Sequence, residues 1–140
     1  MARITIDLPE IFIFSTNIPV RISDINRGGH VGWNFMFQIL DEAYVQFWNG
    51  LDYPSKDDET ISRITVDAGI NYKRQAFHEQ TLKVEIGAND FSSKGFDLIF
   101  RVTESGEEVA RAKAGVLCYD YKTQKVIPIP ERLKSKLIPN

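Results

Sequence analysis

The spacing of hydrophobic and polar positions changes partway along the chain, and this change predicts a helix followed by strands. Over residues 33–49 the apolar side chains cover most of the circumference of a 3.6-residue repeat. The polar side chains fall on one side of that repeat, at steps of three and four. The pattern predicts a largely buried helix over residues 33–49, ended by Gly50 in the left-handed conformation.

After Gly50 the repeat becomes two residues, which is typical of strands with one buried face. Four such runs cover residues 64–72, 82–86, 96–102 and 110–118. The first run would place five side chains on its inner face: Ile64, Val66, Ala68, Ile70 and Tyr72. Turn-forming residues at 92–95 and 105–106 predict tight hairpins, so neighbouring strands should pair in sequence order as a meander.

The order of elements predicts an α+β fold in a single domain over residues 1–140. A strand near residues 12–22 precedes the helix, and Glu131–Leu137 can form a short final helix after two prolines. The most economical way to bury the long helix is to curl the sheet around it. Three small residues on one face of the last long strand would allow a close approach: Ala110, Ala112 and Ala114.

Composition narrows the possible classes of protein. Hydrophobic residues make up 43% of the 140 residues and charged residues 26%, which excludes a disordered chain. A net charge of -2 argues against a nucleic-acid binder. The single cysteine, Cys118, excludes an intrachain disulfide framework and a cysteine zinc cage, and its position predicts a core thiol. We find no apolar run long enough for a membrane span or a signal peptide, so a cytoplasmic protein is expected.

The segment between the first strand and the helix carries a recognisable motif. Residues 21–31 read Arg-Ile-Ser-Asp-Ile-Asn-Arg-Gly-Gly-His-Val. This stretch resembles the hotdog-fold acyl-CoA thioesterases of the 4-hydroxybenzoyl-CoA thioesterase type, which carry Asp-x-Asp-x-x-Gly-His/Val-Val at the entry to a central helix. The similarity continues through the helix acids Asp41 and Glu42 and covers roughly residues 10–130.

The resemblance implies a hotdog fold, in which a curved antiparallel sheet wraps one long central helix. It also implies a homodimer formed by joining two sheets edge to edge, with active sites at the interface, and a possible dimer of dimers. The expected substrates are acyl thioesters of coenzyme A or of acyl carrier protein. No metal or redox cofactor is expected, and coenzyme A would enter only as part of the substrate.

Thioester hydrolysis needs hydrogen-bond donors for the oxyanion and a group that attacks the carbonyl or activates water. A glycine-rich turn that leads into a helix N-terminus offers main-chain amides for the oxyanion. We therefore expect the amides of Gly28, Gly29 and Val31 to be donors, together with that of His30.

The family's second motif acid corresponds to Asn26 in this chain, and an amide cannot accept a proton at neutral pH. We expect the catalytic cluster to comprise Asp24, Asn26 and His30, with Asp41 as a helix acid. If the strand pleat continued this far, Asp24 and Asn26 would point to the same side.

The remaining candidate residues would bind the two ends of the substrate. Trp33 and Phe37 are expected to line the acyl pocket. The residues expected to meet the coenzyme A nucleotide lie at strand ends: Lys73, Arg74, Ser93 and Lys94.

Each candidate also has a purely structural interpretation. His30 and Asp24 can be turn or capping residues. Asp41 and Glu42 can form a solvated stripe or an interface salt bridge. The basic residues can be edge-strand cations that discourage aggregation.

The sequence therefore predicts hydrolysis of a fatty or aromatic acyl-CoA to the free acid and coenzyme A. Because Asn26 replaces the family's acid, one alternative is a weakly active or non-hydrolytic binder of acyl thioesters. The other alternative is a hotdog dehydratase or hydratase, which also pairs a histidine with an acid.

Overall fold

One long helix lies against an antiparallel six-stranded sheet in the computed structural model, which describes residues 1–53 and 61–139. The helices and strands follow in this order: β1 (Phe14–Pro19), a 3-10 turn (Ile22–Asp24), α1 (Trp33–Leu51), β2 (Ile61–Tyr72), β3 (Thr81–Asn89), β4 (Gly95–Glu104), β5 (Glu107–Asp120), β6 (Lys125–Val126) and α2 (Glu131–Leu137). The predicted final helix is confirmed, whereas β6 was not predicted.

The sheet has the order β1-β3-β4-β5-β2, with β6 added to the end of β5. Strands β3, β4 and β5 form the predicted meander, and Ser105 and Gly106 make its tight second turn with φ of 50° and 81°. The prediction that all neighbours pair in sequence order is wrong for β2, which pairs with β5 instead of β3. Strand β2 is consequently an edge of the sheet among the described residues.

The inner face of β2 also differs from its predicted pattern. The β2–β5 pairing shifts between Thr65 and Asp67, so Val66 is an extra residue at a β-bulge. Because the bulge reverses the alternation, Arg63 rather than Ile64 lies opposite Cys118, on the inner face. Val66 is 56% exposed.

Helix α1 packs one face into the core, through Met36, Ile39, Leu40, Ala43, Phe47 and Trp48. Its opposite face is open in the single chain, where Phe37 is 40% and Val45 47% exposed, so the prediction of a largely buried helix is wrong for that face. The helix also continues past Gly50 to Leu51, and its left-handed cap is Asp52, whose φ is 53°, so the prediction that Gly50 ends it is wrong.

Helix α2 closes the far end of the core. Leu133 and Leu137 are fully buried, and the Lys136 ammonium donates to the Leu51 carbonyl at 2.9 Å. Among the described residues, no helix has the length and apolar character needed to cross a bilayer.

Candidate active site

The segment before α1 forms a closed loop built around Asn26. The Asn26 amide donates to the His30 carbonyl at 2.9 Å, and an isolated bridge pairs Ile25 with Val31. The Asn26 side-chain oxygen accepts from the Gly28 amide at 2.9 Å, as in an Asx turn. Gly29 has a φ of +86°, a conformation that glycine adopts without a steric penalty. The loop therefore uses both the backbone and the side chain of Asn26.

One ring nitrogen of His30 makes a hydrogen bond to the backbone, and the other has no hydrogen-bond partner among the described residues. Its Nδ1 lies 3.1 Å from the Val31 carbonyl, which can only accept, so Nδ1 carries the proton in this contact. In the neutral ring Nε2 then keeps its lone pair. A Cβ built on Gly28 would lie only 3.2 Å from Nε2, so the ring packs over the glycine backbone. This arrangement presents Nε2 as a possible base.

The amides predicted to bind the oxyanion are engaged inside the protein. Gly28 donates to the Asn26 side chain, Gly29 to the Asn26 carbonyl at 3.1 Å, and Val31 to the Ala76 carbonyl at 2.8 Å. The structure thus corrects the prediction for Gly28, Gly29 and Val31, because the loop consumes these donors in holding its own shape. Within the described residues, the amides of His30 and Trp33 have no acceptor. Trp33 is the first residue of α1, where an amide has no partner within the helix.

His30 opens into a cavity of about 340 Å³ at the N-terminal end of α1. The cavity is lined by Asn26, Val31, Trp33 and Met36 on one side and by residues 72–76 on the other. The Tyr72 hydroxyl donates to the Trp33 carbonyl and so ties the end of β2 to the first turn of α1. Burial raises the pKa of Tyr72 above its ordinary value of 10.0, so the hydroxyl stays protonated at neutral pH. Sequence reasoning missed this role of Tyr72.

Asp24 lies apart from His30. It ends the 3-10 turn and is 1% exposed; one carboxylate oxygen accepts from the Arg21 amide at 2.8 Å and the other from the Arg21 guanidinium at 3.3 Å. Asp24 borders a different cavity from the one lined by Asn26 and His30. The prediction that Asp24 and Asn26 point to the same side is wrong, because the 3-10 turn interrupts the strand pleat.

Phe37 and Asp41 lie farther along α1 and line a second, smaller cavity against Thr65, Ala68 and Ala112. Trp33, Phe37 and Asp41 follow at intervals of four residues, so they lie on one helix face. Eight residues of helix separate the backbones of Trp33 and Asp41 by about 12 Å. Asp41 is thus too distant to activate water beside His30 of its own chain. It also borders the cavity that Asp24 lines, so the structure brings Asp24 and Asp41 together and separates both from Asn26 and His30.

The predicted coenzyme A ligands occupy opposite ends of the sheet. The amides of Lys73 and Arg74 both donate to the Val109 carbonyl near the start of β5. The Lys94 carbonyl accepts from the Cys118 amide near the end of β5. Residues 109 and 118 of one strand lie about 30 Å apart. A single chain therefore separates Lys73 and Arg74 from Ser93 and Lys94.

The described residues contain no cluster of three or more histidine, cysteine or acidic side chains that could hold a metal ion. Cys118 is buried, and burial raises the pKa of its thiol. Its position in the core agrees with the prediction of a structural thiol.

Named proteins resemble this chain over most of its length. One relative, 26% identical over 84% of this chain and 90% of its own, is the 1,4-dihydroxy-2-naphthoyl-CoA hydrolase of Synechococcus elongatus. Another, 27% identical over 87% of this chain and 95% of its own, is the long-chain acyl-CoA thioesterase FadM of Escherichia coli.

Solved structures support the hotdog fold. The crystal structure of a 1,4-dihydroxy-2-naphthoyl-CoA thioesterase from Synechocystis superposes with a TM-score of 0.78 and 19% identity, covering 89% of this chain and 94% of its own. The predicted fold is thereby confirmed. The family model described as the thioesterase-like superfamily matches residues 20–137, and the chain belongs to that family.

Proposed function

We propose that this protein hydrolyses the thioester bond of an acyl-CoA in the cavity beside His30. The observation that carries this proposal is that His30, whose Nε2 is left as an acceptor, lines the same cavity as Trp33, whose amide has no acceptor among the described residues. The family match and the named relatives confirm the class of reaction predicted from the sequence.

The chemistry assigned to these residues is attack by water. Nε2 of His30 takes a proton as the water oxygen bonds to the thioester carbonyl carbon. The carbonyl oxygen becomes an oxyanion, which the amides of His30 and Trp33 stabilise by hydrogen bonding. As the C–S bond breaks, the protonated imidazole returns its proton to the thiolate, giving the free acid and coenzyme A.

Asn26 serves this mechanism as a structural residue of the loop. Its side-chain oxygen holds the Gly28 amide, and its backbone holds the His30 carbonyl. Because an amide is not a base, the proposal assigns the proton transfer to His30 and not to Asn26. The same observation supports the second candidate function, a protein that binds acyl thioesters and hydrolyses them slowly or not at all.

The acyl group would lie along the groove between α1 and β2. Trp33 and Tyr72 border the His30 cavity, and Phe37 and Ala68 border the next cavity along the same helix face. Both cavities expose mainly apolar side chains, which suits a fatty or aromatic acyl group. One named relative acts on an aromatic naphthoyl-CoA and another on long-chain acyl-CoA, so the relatives support both an aromatic and a fatty acyl group.

The proposal includes a homodimer joined through the β2 edges. Strand β2 has 12 residues, and residues 65–68 are exposed along an edge that is open to pairing. A two-fold axis would make the paired edges antiparallel. The end of the partner that carries Ser93 and Lys94 would then approach the end of this chain that carries Lys73 and His30. A dimer would thus unite the predicted coenzyme A ligands at one site, and dimers could pair further.

A cytoplasmic location completes the proposal, because that compartment supplies acyl-CoA to an enzyme of this kind. Cell fractionation with an antibody to the protein would test it.

The decisive experiment is a thiol-release assay across aliphatic and aromatic acyl-CoAs. We expect turnover of at least one substrate, a loss of roughly 10²- to 10⁴-fold in kcat for His30→Ala, and partial rescue by added imidazole. The matched control is His78→Ala, since His78 is the chain's other histidine and is exposed outside both cavities. Equal losses in the two variants would contradict the role of His30.

The variant Asn26→Asp separates the two candidate functions. An aspartate keeps an oxygen for the Gly28 amide, so the loop should keep its shape while a carboxylate is added beside His30. We expect a higher kcat than in the natural chain. An acyl-CoA can instead raise the melting temperature of the natural chain while its thioester stays intact for hours. That result would favour the binding function over the hydrolytic one.

A further inference from the structure

The N-terminal residues 1–13 form a strap across the outer face of the sheet. The Asn71 side chain donates to the Ile4 carbonyl at 2.6 Å, and the Arg111 guanidinium donates to the Ile6 carbonyl at 3.1 Å. Ile6 is 5% exposed, and Pro9 packs so closely over Gly87 that a Cβ there would lie 2.8 Å from its ring. The strap is therefore fixed to β2, β3 and β5.

This strap completes a pocket of about 220 Å³ beside the end of β2. Residues 3–6 form one side and Asn71, Lys73 and Arg111 the other, so three of the seven lining side chains are cationic and none is acidic. Arg111 is already paired with Glu108 and anchors the strap. Arg3 and Lys73 belong to none of the ion pairs formed among the described residues.

Lys73 connects this pocket to the candidate active site. It lines both the strap pocket and the His30 cavity, which makes the two spaces neighbours on either side of one residue. The adjacent Arg74 pairs with Glu107 at 2.6 Å, so its charge is already compensated. Lys73 makes no direct ion pair among the described residues, although the Glu108 carboxylate lies close enough to interact with its charge. Arg3 adds a second cation on the far side of the strap pocket.

We propose that Arg3 and Lys73 bind a phosphate group of the substrate's coenzyme A nucleotide, in a pocket that exists only because the strap is in place. This inference rests on the proposed function. Charge-assisted hydrogen bonds from an arginine and a lysine are well suited to phosphate oxygens. Asn71 and Arg111 act as positioning residues, because they hold the strap carbonyls and thereby place Arg3.

The same phosphate chemistry could come from two carriers. Coenzyme A brings a diphosphate and a 3′-phosphate, whereas the arm of an acyl carrier protein brings a single phosphodiester. The proposal commits to coenzyme A, because Arg3 and Lys73 line one pocket from opposite sides and offer two separate cations to a group of high charge.

The test compares three substrates with the same acyl group: the acyl-CoA, the acyl-dephospho-CoA and the acyl-pantetheine. For Arg3→Gln and Lys73→Gln we expect KM for the acyl-CoA to rise roughly three- to tenfold with kcat little changed, and KM for the acyl-pantetheine to stay the same. The effect should shrink as salt is raised. The control Lys122→Gln, an exposed cation outside the strap pocket, should leave every KM unchanged.

Direct binding of coenzyme A by calorimetry keeps this test independent of turnover. If the natural chain hydrolyses nothing but binds coenzyme A more tightly than Arg3→Gln and Lys73→Gln do, the proposed function fails and the phosphate pocket stands. If both variants bind coenzyme A as the natural chain does, the pocket proposal is overturned. Equal rises in KM for acyl-CoA and acyl-pantetheine, or phosphopantetheine binding as tightly as coenzyme A, would also overturn it.

Discussion

Replacing Asp24 should reduce stability and leave catalysis nearly intact, although sequence reasoning placed this residue in the catalytic cluster. Asp24 is 1% exposed, and both of its carboxylate oxygens accept hydrogen bonds from Arg21. Its own carbonyl accepts from the Gly32 amide at 3.2 Å, just before α1 begins. The side chain thus fixes the turn that leads into the active-site loop, and it does not face the His30 cavity.

The two hydrogen bonds of the carboxylate set the expected loss of stability. The bond from the Arg21 amide to the buried, charged carboxylate of Asp24 contributes about 1.5 to 3 kcal/mol. The bond from the guanidinium contributes at most about 1 kcal/mol, because that side chain is 69% exposed. Asp24→Ala should therefore lower the free energy of unfolding by roughly 2 to 4 kcal/mol. For a chain of 140 residues this corresponds to a fall in Tm of roughly 6 to 15 °C.

Thermal unfolding and thiol-release kinetics on the same preparations test this reasoning. Arg21→Ala is the matched control, since it removes only the exposed guanidinium and should cost at most about 1 kcal/mol. At a temperature well below both melting transitions, Asp24→Ala should keep kcat within about threefold of the natural chain. A loss in kcat of about 10²-fold or more at unchanged Tm would refute the structural role and return Asp24 to the catalytic cluster.

Three further predictions follow from single contacts. Gly29→Ala should cost about 1 kcal/mol of stability and lower kcat, because a φ of +86° strains any residue with a Cβ; urea unfolding and kinetics would show both. Tyr72→Phe should lower kcat several-fold at nearly unchanged Tm, since it frees the first turn of α1 from β2. The Arg111 hydrogen bond lowers the pKa of Glu108 below its ordinary 4.5. The stability that Glu108 adds is therefore present above that value and lost as pH falls below it, so unfolding curves of Glu108→Gln and the natural chain should converge in acid.

The sequence predicted the elements of this fold well because hydrophobic periodicity reports local burial. The helix start at Trp33 and the final helix at Glu131–Leu137 match the structure. Pairing was harder to predict, because β2 joins β5 across a long separation that no local signal records. The bulge at Val66 was also invisible, since one extra residue reverses a two-residue alternation without changing the kinds of residue involved.

The site was predicted less well than the fold, and the reason lies in hydrogen bonds that depend on three-dimensional shape. The resemblance of residues 21–31 to the family's motif identified the Asn26–His30 turn, which does lie at the entrance to α1. The sequence could not show that the amides of Gly28 and Gly29 donate hydrogen bonds to Asn26 inside the turn. It also could not show that Tyr72, forty residues away, closes the same cavity by binding the Trp33 carbonyl.

The geometry of the turn explains how an asparagine, Asn26, can replace the acid that the thioesterase motif has at this position. The contact that shapes the loop needs only one side-chain oxygen to accept from the Gly28 amide, and asparagine and aspartate both supply it. Loop shape and proton transfer are therefore separable at this position, because only the second requires a carboxylate. The Asn26 loop still orients His30 through the His30 carbonyl, so a base remains beside the helix N-terminus after the acid is gone. Comparing the pH dependence of kcat in the natural chain and Asn26→Asp would show whether the histidine alone carries the reaction.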